Sequence, residues 1–281
     1  MTALQNFVNQ GRKIIPRGWV LVIKTFARFL PALQHYKVTL VNGDHMYLDL
    51  REDMCFGQFF DGCISGEQGT DILLKRILSE GSVVIDVGAN IGYYTRIASN
   101  LVGAKGQVFA FEPSPNALSV LRQNTNDLSN VRIFPVALSD SEGEARFFVR
   151  KNGGTSSLEA DSSSQEVIVK ITTLDSLLID VQEVEFIKID VEGFEPEVLR
   201  GAESLIKRHR PIIYLEYFEH YAEKRGYAAT LFDDFFATLN YEIHWIDEKA
   251  EGAAKLISNV PSNYLIAIPE ERKKIITGFN S

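Results

Sequence analysis

One short loop of the sequence has the residue types and spacing of a cofactor-binding turn. It contains Gly88, Ala89, Asn90 and Gly92, which follow an apolar segment and precede a segment with helical periodicity. Glycine has no Cβ, so a ligand can approach its backbone closely, and the free N–H groups at a helix start can bind that ligand. The loop therefore predicts a site for a nucleotide-like cofactor at the end of a buried strand.

The details of this loop distinguish between two classes of cofactor. Its pattern is G-x-N-x-G, whereas the dinucleotide fingerprint is G-x-G-x-x-G. Asp86 stands two residues before Gly88, where a carboxylate favours a ligand with a cationic end over a pyrophosphate. The loop thus favours S-adenosylmethionine, and an NAD-dependent oxidoreductase is the less favoured alternative.

An acidic residue at the end of the next predicted strand supports a nucleoside ligand. Glu112 lies 24 residues after Gly88, where its carboxylate can accept hydrogen bonds from both hydroxyls of a ribose. Because both classes of cofactor contain a ribose, Glu112 does not choose between them.

Three further side chains are candidates for accepting a proton from a hydroxyl group: Asp190, Glu192 and His220. Asp190 is our first choice, although an aspartate with a pKa near 3.9 is a weak base for an alcohol. Two alternatives stay open. In the first, Glu192 and Glu195 cap the helix that begins near Phe194, where acids favour the helix dipole. In the second, His220 is an exposed or hydrogen-bonded histidine, four residues after the strand-ending Glu216.

Alternating strands and helices must position these residues. Apolar segments separated by helical ones are typical of a parallel sheet buried on both faces, which binds ligands at the carboxyl ends of its strands. The pattern predicts strands at 83–87, 108–111, 131–136, 186–189, 212–215, 241–246 and 264–268. It predicts helices at 68–78, 92–100, 115–124 and 194–207, another that begins at Thr230, and a serine cap at Ser114. Segments 145–149 and 167–171 flank an exposed loop at 152–164.

The first 43 residues differ in charge from the rest of the chain. Residues 1–43 contain six basic residues and no acidic one, which leaves −14 on the remainder of a chain with a net charge of −8. Between two prolines we predict a helix with Trp19, Ile23, Phe26 and Leu30 on one face. Two interpretations stay open: the helix packs on the larger domain or on a twin subunit, or it lies on an acidic membrane surface.

The residues after this helix predict a β-hairpin. Segments 38–41 and 46–50 flank Asn42-Gly43-Asp44, which favours a tight turn. We therefore divide the chain into residues 1–66, a basic helical arm with a β-hairpin, and residues 67–281, an α/β domain that binds the cofactor.

Several blocks together resemble the FkbM family of S-adenosylmethionine-dependent methyltransferases. The resemblance covers roughly residues 68–247. It rests on Ile85-Asp86-Val87-Gly88-Ala89-Asn90-Ile91-Gly92-Tyr93-Tyr94-Thr95, Phe111-Glu112-Pro113, Val136-Ala137-Leu138-Ser139-Asp140, Thr173-Leu174-Asp175, and Ile187-Lys188-Ile189-Asp190-Val191-Glu192-Gly193-Phe194-Glu195.

The resemblance implies a Rossmann-like sheet of seven strands, mostly parallel, with the last strand antiparallel. The first loop, with Tyr94 and Thr95, would hold the methionine part of the cofactor. Glu112 and Pro113 would lie at the ribose, Ala137 and Leu138 at the adenine, and Asp190 near the methyl group and the acceptor. Residues 154–157 would lie near the acceptor. The activities of family members imply O-methylation of a hydroxyl on a sugar, glycolipid or secondary metabolite. The alternative is an accessory protein that binds the cofactor or a membrane without catalysis.

Composition excludes several other classes. The negative net charge argues against a nucleic-acid-binding protein, because phosphate neutralisation needs a basic surface. The two cysteines, Cys55 and Cys63, are too few for a disulfide framework, and no nearby His/Cys cluster has the spacing of a metal site. We therefore expect a cytoplasmic enzyme with a small-molecule or glycan acceptor and no metal, with membrane contact and a homodimer as open partner predictions.

Overall fold

The computed structural model describes residues 3–14, 18–64, 68–150, 164–247, 255–257 and 263–278. Its strands are β1 Tyr36–Thr39, β2 His45–Leu48, β3 Val83–Val87, β4 Gln107–Phe111, β5 Val131–Phe134, β6 Ala137–Leu138, β7 Gly143–Arg150, β8 Ser164–Thr172, β9 Val184–Ile189, β10 Ile212–Glu216, β11 Tyr241–Asp247, β12 Lys255–Ile257 and β13 Tyr264–Pro269. Its α-helices are α1 Ala3–Ile14, α2 Trp19–Ala27, α3 Phe56–Asp61, α4 Gln68–Ile77, α5 Tyr93–Val102, α6 Pro115–Thr125, α7 Leu174–Leu177, α8 Glu195–Arg200, α9 Glu203–His209, α10 Glu219–Arg225 and α11 Thr230–Thr238.

The main sheet has the order β12-β11-β13-β10-β9-β3-β4-β5 among the described strands. Strands β3, β4, β5, β9 and β10 run parallel, and β13 runs antiparallel to both β10 and β11. This confirms the predicted seven-stranded sheet with an antiparallel last strand, to which the three-residue β12 adds an edge. The parallel strands end at one edge of the sheet, where the predicted site residues follow them.

The third predicted strand is shorter than expected. We predicted strand 131–136, but β5 ends at Phe134, and β6 joins a separate sheet with the order β6-β8-β7. Pro135 separates the two strands, and proline cannot donate a backbone hydrogen bond to a neighbouring strand. The predicted loop at 152–164, including residues 154–157, lies outside the described residues except for Ser164.

The single helix predicted at 194–207 consists of two helices, α8 and α9, in the structure. The break lies at Gly201, where an added Cβ would lie 2.0 Å from the carbonyl oxygen of Ser139. This close approach requires glycine and holds the end of α8 against the β6–β7 turn.

The described part of residues 1–66, which we call the N-terminal segment, packs on one face of the sheet. Gln5 Nε2 donates to the carbonyl of Phe59 (3.0 Å), and Asn9 Nδ2 donates to that of Phe60 (2.8 Å), which fixes α1 on α3. Helix α1 was not predicted, although Leu4 and the buried Val8 have helical spacing. The division at residue 66 stays a prediction, and residues from both sides of it contribute to one buried hydrophobic cluster.

Helix α2 and the hairpin follow the prediction in position but not in every contact. Ile23 and Ala27 are the buried residues of α2, whereas Phe26 and Leu30 are exposed and Leu30 lies beyond the end of the helix, so only part of the predicted apolar face packs on the protein. The hairpin is present, and Asp44 in its turn accepts hydrogen bonds from Arg96 at 2.6 and 2.9 Å. Within the described ranges, no helix is both long and apolar enough to cross a membrane.

Candidate active site

A cavity of about 710 Å³ lies at the carboxyl ends of β3, β4, β9 and β10. Its volume is within the range of cofactor and small-molecule sites. The predicted site residues that line it are Gly88, Ala89, Asn90, Tyr94, Glu112, Pro113, Ala137, Leu138, Asp190 and Glu192. Four other predicted residues do not line it: Asp86, Gly92, Thr95 and His220.

The loop after β3 touches the loop after β9. Gly88 has a φ of +78°, and an added Cβ would lie 1.8 Å from the carbonyl oxygen of Asp190. The space that the missing Cβ leaves is therefore filled by protein backbone, where the sequence predicted close approach of a ligand. Gly88 thus has a second role, because it brings the first loop against Asp190.

Gly92 and Thr95 act within the protein. An added Cβ at Gly92 would lie 2.7 Å from Leu121 Cδ1, so this glycine permits α5 to pack on α6. Thr95 Oγ1 donates to Asp86 Oδ2 at 2.6 Å, and both side chains are buried. The positions of these residues argue against direct cofactor contacts.

Asp86 faces a buried lysine. Strand register pairs Asp86 with Lys188, and Lys188 Nζ lies 3.8 Å from Asp86 Oδ1. Burial raises the pKa of Asp86, although Lys188 and the hydrogen bond from Thr95 oppose the rise. The prediction that Asp86 faces a cationic part of the cofactor does not fit this geometry, because the cation beside Asp86 belongs to the protein.

Glu112 presents a carboxylate to the cavity. Its Oε2 accepts the backbone N–H of Asn90 and its Oε1 that of Ser114, each at 2.8 Å. Burial raises the pKa of Glu112 to about 7, although these two hydrogen bonds oppose the rise. Ser114 is the N-cap residue of α6 and Pro115 its first residue, as predicted, but the Ser114 side chain makes no capping hydrogen bond, and its backbone N–H instead donates to Glu112.

An apolar part of the cavity lies beside Glu112. Ala137 and Leu138 line it together with Phe111, Val136 and Phe147. Phe147 comes from β7 in the smaller sheet, and its local sequence pattern predicted only a strand. The apolar side chains offer a surface for a flat ring.

Asp190 lies between a cation and a second acid. Lys188 Nζ lies 2.9 Å from Asp190 Oδ2, and Glu216 shares a hydrogen bond with Asp190. Burial opposes the charge of Asp190, but Lys188 and these hydrogen bonds outweigh burial and lower its pKa. Burial and the Asp190 charge strongly raise the pKa of Glu216. At neutral pH, Asp190 is therefore ionised, and Glu216 is protonated and donates to it.

Lys188 and Glu216 were not among the predicted site residues. Lys188 is the charged residue of the predicted strand 186–189 and is buried, with Nζ 5.2 Å from the centre of the Tyr94 ring. Glu216 ends β10 in the same way that Glu112 follows β4. These positions were the available signals, because a charge in a buried strand needs a partner.

Glu192 and His220 differ in their relation to the cavity. Glu192 lines it from a turn with a positive φ of 57°. Glu195, and not Glu192, holds that turn by accepting the N–H groups of Val191 and Gly193, each at 3.1 Å. His220 is exposed on α10, where its ring contacts Tyr221, so the structure does not bring it to Asp190.

The N-terminal segment supplies one wall of the cavity. Asp53, Phe56, Gln58, Phe60 and Asp61 line it. The sequence did not predict this contribution, because no local pattern connects residues 53–61 with the ends of distant strands. Over the described residues, no group of three or more His, Cys, Asp and Glu is arranged to hold a metal ion.

Comparisons with known proteins show the family of this chain. Residues 86–243, more than half of the chain, match the model of the methyltransferase FkbM domain. The hexuronic acid methyltransferase AglP of Haloferax volcanii is 33% identical over 151 residues, which cover 51% of this chain and 59% of AglP. The 2-O-methyltransferase NoeI of Sinorhizobium fredii is 30% identical over 155 residues, which cover 48% of this chain and 63% of NoeI.

The matches extend over less than two thirds of the length of these two relatives. Among solved structures, the methyltransferase FkbM from Methylobacillus flagellatus KT has a TM-score of 0.45 and 18% identity, and the alignment covers 68% of this chain and 44% of that one. The family match includes the loop at Gly88, Glu112 and Asp190, which the structure gathers around one cavity. The chain therefore belongs to the FkbM family of S-adenosylmethionine-dependent methyltransferases.

Proposed function

We propose that this protein transfers a methyl group from S-adenosylmethionine to a hydroxyl group of a sugar, glycolipid or secondary metabolite. One observation carries the proposal. Asp190, ionised and held by Lys188 and Glu216, lies in the same cavity as Glu112 and the Gly88 loop.

The cavity residues fit this cofactor in charge and shape. Acidic side chains predominate among the described residues that line the cavity, and Lys188 is the basic residue among them. The site therefore suits a cationic ligand better than a pyrophosphate. Glu112 would accept the ribose hydroxyls, because each oxygen now accepts one N–H and can accept a further donor. Ala137 and Leu138 would contact the adenine, and the Gly88–Asn90 backbone would hold the methionine part.

The bound cofactor supplies an activated methyl group on a sulfonium, so the protein mainly needs to align the acceptor oxygen. Asp190 accepts a hydrogen bond from the acceptor hydroxyl and orients its oxygen. Its lowered pKa makes it a weak base, so we assign it orientation first. An oxygen that gains a methyl group becomes acidic, and Asp190 can then take its proton.

The wall formed by the N-terminal segment supports an acceptor with several hydroxyls. Asp53, Gln58 and Asp61 offer hydrogen-bonding groups, and Phe56 and Phe60 offer apolar surface, a combination that suits a sugar ring. The names of AglP and NoeI, a hexuronic acid methyltransferase and a 2-O-methyltransferase, agree with this class. The carboxylates in this wall favour a neutral sugar over an acidic one, so we expect a neutral sugar here, in contrast to the hexuronic acid in the name of AglP.

Methyl transfer from labelled S-adenosylmethionine to a panel of neutral and acidic glycosides tests the proposal. We expect Asp190→Asn to retain cofactor binding by calorimetry and to lose about 100-fold or more in turnover, the scale of a lost positioning or proton-accepting group. His220→Gln is the matched control, because His220 is exposed and does not line the cavity. Near-normal turnover of Asp190→Asn would refute the role of Asp190.

The same experiment separates an enzyme from a non-catalytic accessory protein. Cofactor binding with no transfer to any acceptor of the panel would favour the accessory protein. Homodimer formation stays a prediction, which sedimentation velocity over a range of protein concentrations would test.

A further inference from the structure

Helix α2 and the turn after it expose an unusual amount of apolar surface. The exposed fractions are 72% for Leu21, 45% for Val22, 57% for Phe26, 78% for Phe29 and 48% for Leu30. We call these five side chains the α2 apolar face. Several exposed apolar side chains close together in the chain indicate an interaction site, whereas single exposed apolar residues need no explanation.

The α2 apolar face does not result from a helix that is detached from the protein. Ile23 and Ala27 of the same helix are buried. Lys24 Nζ lies 2.7 Å from Asp53 Oδ2, which ties the helix to the wall of the cavity. The protein therefore holds the apolar face outward.

The charge of residues 1–43 indicates what covers this face. Residues 1–43 carry six basic residues and no acidic one, whereas the rest of the chain is strongly acidic. A second copy docked through α2 would bring two basic segments together, which is unfavourable. An anionic lipid surface offers both an apolar layer and the complementary charge.

The position of the cavity gives this surface a purpose. Val20 lines the cavity and is 37% exposed at the edge of the α2 apolar face. Asp53, the partner of Lys24, lines the same cavity. A membrane that contacts α2 would therefore lie beside the cavity wall formed by the N-terminal segment.

We propose that the α2 apolar face inserts into the surface of an anionic bilayer and that the acceptor is a hydroxylated headgroup carried by a lipid. Leu21, Phe26 and Phe29 enter the boundary between headgroups and acyl chains, and the exposed Arg28 and Lys37 contact anionic headgroups. The lipid-carried acceptor rests on the proposed methyltransferase function, whereas the membrane contact does not.

Vesicle sedimentation with the full chain tests the membrane contact. The vesicles are phosphatidylcholine alone, or phosphatidylcholine mixed with phosphatidylglycerol. We expect the protein to sediment with the anionic vesicles and to be released by salt. A Leu21→Ser and Phe29→Ser double variant is expected to bind about tenfold more weakly or worse.

A matched control replaces two exposed apolar residues elsewhere, Ile168→Ser with Ile179→Ser, which are 59% and 62% exposed. This control is expected to bind vesicles like the unmodified chain. Calorimetry with S-adenosylmethionine verifies that both double variants keep the folded cofactor site. Equal vesicle binding by the Leu21/Phe29 variant overturns the proposal, and so does a protein that stays in the supernatant. If the unmodified chain forms a dimer that this variant loses, and neither protein binds vesicles, the face belongs to a contact with a second copy. That result would also overturn the proposal.

A second measurement separates the two parts of the proposal. The same hydroxylated headgroup is offered either anchored in anionic vesicles or free in solution. We expect the Leu21/Phe29 variant to lose turnover on the anchored form and keep its turnover on the free form. Vesicle binding with no methyl transfer to either form would contradict the proposed function and leave the membrane contact standing. Equal turnover of the anchored form by the variant and the unmodified chain would overturn the lipid-carried acceptor.

Discussion

The substitution Lys188→Met removes the cation shared by the buried carboxylate of Asp86 and the partly exposed carboxylate of Asp190. Lys188 Nζ lies 2.9 Å from Asp190 Oδ2 and 3.8 Å from Asp86 Oδ1. The side chain of Lys188 is 6% exposed and that of Asp86 is 2% exposed, so solvent screens this pair weakly, whereas Asp190 is 32% exposed and its pair with Lys188 is screened more. Breaking a buried ion pair by removing one partner costs about 3–5 kcal/mol, and we expect that loss in the free energy of unfolding near pH 7.

The size of this loss depends on pH. The pKa of Asp190 is lowered in the folded protein, so its contribution to stability is present above the ordinary aspartate pKa and disappears as pH falls through the folded value. Without Lys188, burial raises the pKa of both Asp190 and Asp86, and both take up protons on folding. Lys188 has a raised pKa, so its contribution is fully present throughout the acidic range. The difference between the two proteins is therefore largest near pH 7 and shrinks toward about pH 4.

Urea denaturation followed by tryptophan fluorescence measures this effect, since Trp19 and Trp245 are both partly or fully buried. Lys105→Met is the matched control: its Nζ lies 3.3 Å from Glu80 Oε1, with side chains 78% and 64% exposed. Such a surface pair contributes about 1 kcal/mol or less. In an Asp86→Asn background, Lys188→Met is expected to cost less, because one carboxylate no longer needs the cation. The reasoning is refuted if Lys188→Met costs no more than Lys105→Met, or if its cost is the same at pH 4 and pH 7.

Two further predictions concern cofactor binding. Gly88→Ala places a Cβ 1.8 Å from the carbonyl oxygen of Asp190, so calorimetry should show at least about a tenfold loss of S-adenosylmethionine affinity. Gly81→Ala is the control, because Gly81 also has a positive φ, +94°, but nothing within 4 Å of the added Cβ; its expected cost is about 1–2 kcal/mol in stability with unchanged affinity. Equal affinities of the two variants would contradict the role of Gly88. Glu112→Gln is expected to weaken binding about tenfold at pH 8, the scale of one hydrogen bond to a charged group. The pKa of Glu112 is raised to about 7, so its burial costs stability as pH rises from 4.5 to 7, and the ionised form that best accepts ribose hydroxyls is lost below pH 7. Affinity of the unmodified chain should then fall below pH 7 while that of Glu112→Gln stays level, and parallel pH profiles would show that Glu112 does not accept the ribose hydroxyls.

The sequence determined the sheet and the side of it that holds the cavity. Local periodicity located the seven main strands, because apolar strands buried on both faces differ from helices over short stretches. Residues that follow parallel strands must meet at one edge of the sheet, so Glu112 and Asp190 could be assigned to one site before their contacts were known. The third strand and the 194–207 helix were predicted too long, because apolar periodicity continues through both breaks. The strand ends before Pro135, which has no N–H to donate to a neighbouring strand, and the helix breaks at Gly201, which lies against the carbonyl of Ser139.

Only the tertiary structure decided what each residue of the first loop does. Asp86 and Lys188 are about a hundred residues apart, and they become partners through the register of β3 and β9. Gly88 contacts Asp190 through the same pairing of strands, and Gly92 contacts α6 instead of the cavity. The side that a residue faces depends on which elements pack around it, and no local pattern contains that information.

The same reason explains the wall of the cavity. Asp53, Gln58 and Asp61 reach it because the N-terminal segment folds back over the sheet and shares its hydrophobic cluster. A short stretch of sequence fixes its own strand or helix through local backbone preferences. The groups that surround Asp190 come from distant segments, so packing and sheet order alone bring them together.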